Sequence, residues 1–117
     1  MENELKKLNA TIKADELILM DVLQNKIAGR YTAKDSGEKH LDLFMKNVKL
    51  PSFLTNIKSL WIKNAEANLD FKFPWGYVYI KHINAEHLLL LSFPTSRICT
   101  SKINAYLNLF SPENENQ

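Results

Sequence analysis

At 117 residues the chain fits one domain, and its 45% hydrophobic and 24% charged residues place it with globular rather than disordered proteins. Its 15 basic and 13 acidic residues leave a net charge of +2, and they are scattered, so no basic stripe argues for nucleic acid. No apolar run approaches the roughly 20 residues that span a bilayer, MENELKKLNA lacks a signal-peptide core, and the lone Cys99, with no internal partner, suits a reducing, cytoplasmic setting.

Met1, Leu5, Leu8 and Ile12 recur at helical spacing and predict a short amphipathic helix with a narrow apolar stripe. The period then changes. ELILMDVLQ (Glu16 to Gln24) and KIAGRYT (Lys26 to Thr32) read as two strands, the first over Leu17 to Leu23. Asn25 tolerates positive φ and marks a hairpin turn, and Gly29 marks a bulge or a close approach. In the polar loop AKDSGEK, Asp35 and Glu38 have the spacing of a capping box. His40 to Asn68 reads as helix, with Pro51 imposing a kink or a fresh start in its first turn. Phe53, Leu54, Ile57, Leu60, Trp61 and Ala65 form its apolar face.

LDFKF (Leu69 to Phe73) alternates, Pro74-Trp75-Gly76 breaks it, and YVYIKHI (Tyr77 to Ile83) alternates again. Asn84-Ala85-Glu86 turns the chain into HLLLLSF (His87 to Phe93), a continuous apolar strand. Pro94-Thr95-Ser96 supplies helix-start chemistry, and Cys99, Ile103, Tyr106, Leu107 and Phe110 face a last helix. A strand covered on both faces reads as an uninterrupted apolar run, whereas a strand nearer an edge alternates. Leu88 to Leu91 therefore belongs at the centre of a sheet, beside Leu17 to Leu23, and Leu69 to Phe73 at or near an edge. The expected fold is α+β: a five-stranded antiparallel sheet sandwiched by helices, in the order α-β-β-α-β-β-β-α. One domain is expected over 1–110, with 111–117 (SPENENQ) a disordered tail.

This order resembles the roadblock family, named after the dynein light chain roadblock, which includes bacterial and archaeal members that act with Ras-like small GTPases. The hairpin ELILMDVLQNKIAGRYTA, the central helix and the ending WGYVYIKHINAEHLLLLSFPTSRICTSKINAYLNLF carry the resemblance. The chain departs from the common pattern in its first turn, Gln24-Asn25-Lys26 rather than an Asp-Gly pair, and in the Pro51 of its long central helix. The resemblance implies a dimer in which the central helix and third strand pair across a two-fold axis. The matching positions are Phe53, Ile57, Leu60, Trp61, Leu69, Phe71 and Phe73. An edge strand with one apolar face also invites covering on physical grounds, because its unpaired backbone groups template association.

The remaining candidates are weaker. His82 and His87 flank a turn and, with Glu86, offer a potential metal set, but they lack a third strong ligand nearby in sequence and read as surface histidines. His40 reads as a capping or solvated residue. Cys99 reads as a small apolar residue facing the sheet, with a nucleophile as the competing role. Asp21, a carboxylate in an apolar strand, is either functional or pinned at a turn. Trp75 is either an exposed partner contact or a turn aromatic folded back on the domain. With Gly29, Gly37 and Gly76 its only glycines, the chain has no phosphate-cradling loop, so any GTPase connection runs through a partner. The expected function is a non-enzymatic, cofactor-free homodimeric scaffold that binds a Ras-like small GTPase or a larger complex. The alternative is a profilin-like domain sensing a small molecule between sheet and helix, and an enzyme using Cys99 or the histidines ranks third.

Overall fold

The computed structural model describes residues 2–33, 40–47, 50–63, 68–94 and 100–110. In chain order these form α1 (Glu2–Ile12), β1 (Glu16–Asp21), β2 (Lys26–Thr32), α2 (His40–Asn47), α3 (Leu50–Lys63), β3 (Leu69–Phe73), β4 (Gly76–His82), β5 (His87–Phe93) and α4 (Thr100–Leu107). The fold is α+β. All five strands join one antiparallel sheet in the order β2-β1-β5-β4-β3. The apolar strand β5 is central, β1 is its neighbour, and the alternating β3 is an edge, as their patterns predict.

Side-chain alternation splits the core into two layers. Leu17 and Leu19 of β1 face the same way as Leu89, Leu91 and Phe93 of β5, and α1 and α4 cover them with Leu5, Ile12, Ile103 and Leu107. Ile18 and Met20 face the opposite way with Leu88, Leu90, Val78 and Ile80, and α2 and α3 cover them with Leu41, Phe44, Ile57 and Trp61. Each fully buried Leu or Ile contributes about 1.5 to 3 kcal/mol relative to exposure, so both helical layers are anchored by the same strands.

The alternation of β4 does not show in its burial: Gly76 to Ile80 are all buried. Tyr77 and Tyr79 place their rings in the first core. Their hydroxyls donate outward, Tyr77 to the Asp70 carboxylate and Tyr79 to Asn104 Oδ1 at 2.5 Å. Tyrosine buries its ring while keeping its polar tip bonded. Of the two outcomes open at Pro51, the structure shows the fresh start, with α2 ending at Asn47 and α3 beginning at Leu50. Pro51 is the second residue of α3, where a missing N–H forfeits no helical bond.

Local chemistry explains the turns. Asn25 has φ 53°, and Asp21 Oδ1 accepts from the Leu23 and Gln24 amides at 3.0 Å each, closing the β1–β2 turn. Asp21 is thus the turn-pinning residue of the two readings. Leu19 pairs with Gly29 but Met20 with Ile27, so a bulge sits beside the glycine. Gly76 has φ 155°, and a Cβ there would lie 2.1 Å from the Phe93 carbonyl oxygen, so the β3–β4 turn has no room for a side chain.

At the end of α1, Lys13 takes φ 59° and donates to the Asn9 carbonyl at 2.8 Å. The buried Asn9 side chain donates to Ala14 O at 2.9 Å and accepts from Ala14 N at 2.6 Å. The periodicity of α1 passes over Asn9, although it lies on the buried side beside Leu5 and Ile12. The expected capping box at Asp35 and Glu38, the thiol Cys99, and the tail 111–117 lie outside the described residues.

Candidate interaction surface

Edge strand β3 and the two helices beneath it hold most of the residues singled out for association. Among the described residues β3 has β4 as its one neighbour. Its burial alternates: Leu69, Phe71 and Phe73 are half-buried and Asp70 and Lys72 exposed. The three apolar residues pack onto the α2–α3 layer of their own chain. Phe44 of α2 is the hub, with ring centroids 5.8 Å from Phe53, 5.4 Å from Phe71 and 6.3 Å from Phe73. These separations suit tilted and edge-to-face aromatic pairs.

Trp75 is half-buried and folds back onto its own chain. It stacks on Phe73 at 5.0 Å and on His40 at 3.9 Å, with interplanar angles of 4° and 11°. The stack gives His40 a packing role that its position at the start of a helix did not suggest.

Helix α3 has two distinct sides. Ile57 and Trp61 are 2% and 8% exposed, within the core of the single chain. Side chains already covered by their own sheet have little area left to offer a second chain. Phe53 and Leu60 are half-buried and retain some. The outer side carries Ser52, Thr55, Asn56, Ser59, Ile62 and Lys63, all exposed. Ile62 is 87% exposed, a large apolar residue that a search for the core face passes over. An open groove of about 250 Å³ lies beside it, lined by Val22, Lys58, Trp61, Ile62, His82 and Ala85. That volume falls below the roughly 300–1,000 Å³ typical of small-molecule pockets.

The histidines do not converge. His82 stacks on Trp61 at 4.1 Å, and His87 Nδ1 lies 3.1 Å from Asn84 Oδ1. Among the described residues no three His, Cys, Asp or Glu side chains gather as a metal site, and no helix is long and apolar enough to cross a membrane.

Periodicity also missed a buried carboxylate. Glu16, the first residue of β1, is fully buried and accepts from the Leu41 amide at 3.3 Å, capping the first turn of α2. Burial pushes its carboxyl above the ordinary 4.5, with Asp42 adding to the rise and the Leu41 amide and Arg30 opposing it. Beside it, Arg30 of β2 pairs with Asp42 of α2 and ties the helix to that sheet edge. A polar residue flanking an apolar strand resembles an ordinary strand end. Only the helix start placed over it makes Glu16 structural.

The sheet order, with α1 and α4 on one face and α2 and α3 on the other, defines a roadblock-like fold. The chain is similar to the gliding protein MglB of Thermus thermophilus, with a TM-score of 0.62 and 13% identity over 89% of this chain and 77% of that one. It is similar also to MglC of Myxococcus xanthus, with a TM-score of 0.58 and 9% identity over 94% and 95% of the two chains. A further MglB, solved in a tetrameric arrangement, gives a TM-score of 0.62 and 15% identity over 89% and 76%. No family model and no curated protein sequence matches the chain.

Proposed function

We propose that the chain is a non-enzymatic, cytoplasmic scaffold of roadblock type, one domain over 1–110, that acts as a homodimer and offers its two-fold platform to a Ras-like small GTPase. The observation that carries the reading is the edge of β3, open among the described residues, with half-buried aromatics beneath it. Pairing with a second copy satisfies the free backbone groups and covers the remaining area of Leu69, Phe71 and Phe73. The roadblock-like fold supports this reading, as does the tetrameric arrangement of one MglB. Such a protein works by binding: it stabilises one conformation of the GTPase by its differential affinity for that state.

Two measurements test the reading. Sedimentation at micromolar concentration shows a dimer; a monomer throughout the working range rules out the homodimer. Titration of the dimer into a purified Ras-like GTPase, loaded with GDP or with a GTP analogue, shows different affinities for the two nucleotide states. Equal or absent binding removes the GTPase role for that partner and leaves the dimer standing.

A further inference from the structure

We infer that helix α2 is a proton-linked cover of the sheet: it closes over a protonated Glu16 and opens more readily once that carboxyl has given its proton to water.

Glu16 is fully buried at the start of β1, and alternation along the strand puts it on the face that carries Ile18 and Met20. Its two oxygens have different surroundings. Oε1 accepts from the Leu41 amide in the first turn of α2 at 3.3 Å. Oε2 is buried and has no hydrogen-bond partner among the described residues. Ser92 of β5 pairs with Glu16 across the sheet and is also fully buried, its Oγ without a partner among the described residues. An ionised oxygen held there loses its hydration and gains no donor in exchange. A proton on Oε2 removes that charge and leaves Oε1 to accept from α2 as before. Opening of α2 instead returns water to the ionised group. Protonation therefore favours the closed helix, and ionisation the open one.

The neighbouring charges leave this balance in place. Burial is the largest influence on Glu16 and pushes its carboxyl above the ordinary value; the Leu41 amide lowers it, Asp42 of α2 raises it, and Arg30 of β2 and the His40 amide lower it. Arg30 is already paired with Asp42. On β5 the residue opposite is the uncharged Ser92. Asp15, the residue before Glu16, is also raised by burial, against His40.

Helix α2 suits such a role. It has eight residues, too few to be stable as a helix alone. Its buried apolar anchors among the described residues are Leu41 and Phe44, while Leu43 is 54% exposed. Phe44 is also the ring on which Phe53, Phe71 and Phe73 converge. Opening of α2 thus withdraws the packing beneath β3, and the proton on Glu16 is coupled to the order of that strand.

Native-state hydrogen exchange, with each rate divided by the intrinsic rate at the same pH, tests the cover in the wild type. Protection of the Phe44, Met45 and Lys46 amides falls as pH rises above about 4.5, by up to about tenfold per pH unit, the limit for one linked proton. It stays below that of the Leu19 and Leu89 amides, which exchange through opening of the sheet. The side-chain carboxyl carbon resonance of Glu16 titrates over the interval in which α2 loses protection. Glu16→Gln, which keeps an acceptor for the Leu41 amide, reduces the slope to the part that Asp15 contributes. Protection of α2 that does not change with pH, or that equals the sheet's at every pH, overturns the inference. So does a Glu16 titration outside that interval, which decides the question even where Glu16→Gln does not fold, or a full slope retained in Glu16→Gln.

Discussion

Ile57 and Ile62 lie five residues apart on α3, yet truncating each to alanine should have opposite consequences. Ile57 is 2% exposed and sits with Phe44, Trp61 and Ile80 in the core beneath α2 and α3. Ile57→Ala removes that burial and leaves a cavity, at a cost of about 2–5 kcal/mol. In a chain of this size each kcal/mol moves the midpoint by about 4 °C, so Tm should fall by roughly 8–20 °C. Ile62 is 87% exposed, so Ile62→Ala should change the stability of the isolated fold by less than about 0.5 kcal/mol. The assay is thermal unfolding at two protein concentrations about a hundredfold apart. Loss within the fold shifts Tm equally at both, whereas loss from a dimer interface shows as a changed concentration dependence. Ile57→Ala should give the first pattern, and Ile62→Ala the second if the outer side of α3 meets a second chain. A Tm for Ile57→Ala within about 2 °C of wild type, or a large and concentration-independent loss for Ile62→Ala, would mean the two sides of the helix have been assigned the wrong way round.

Asn9→Ala leaves the Ala14 amide and carbonyl without their side-chain partners; at about 1–3 kcal/mol per unmet buried group, urea unfolding should show a loss of about 2–6 kcal/mol. Gly76→Ala forces a Cβ to within 2.1 Å of the Phe93 carbonyl oxygen, so this variant should express poorly or melt well below wild type, and an unchanged Tm would contradict the turn geometry. Glu16→Gln tests the buried cap. The raised Glu16 pKa means the folded state binds its proton more tightly than the unfolded chain, so the wild type should lose stability as pH rises from about 4.5 through the folded value. Asp15, raised by burial against the opposing influence of His40, adds to the same slope. The glutamine variant keeps only the Asp15 part, and its stability relative to wild type should grow with pH; parallel denaturation curves from acid to neutral pH would refute the assignment.

The sheet was largely legible from the sequence because its signals are local. A strand buried on both faces must be apolar throughout, which marks Leu88 to Leu91 as central, and an edge strand covered on one face must alternate, as Leu69 to Phe73 does. Turn chemistry is equally local: Asn25 adopts positive φ, and Gly29 sits beside the bulge. The tertiary structure decided what depends on neighbours distant in sequence. The tyrosines of β4 look like a half-polar face until α4 brings Asn104 to Tyr79 and β3 brings Asp70 to Tyr77. Glu16 looks like a strand end until α2 starts above it. The stacking of Trp75 depends on rings that the sequence does not bring to it, those of His40 and Phe73. On α3, periodicity located the apolar stripe but not its division, because Ile57 and Trp61 are covered by the sheet of their own chain while Ile62 points away from it. A hydrophobic pattern records which residues leave water; what covers them is set by the packing of elements that the pattern does not place.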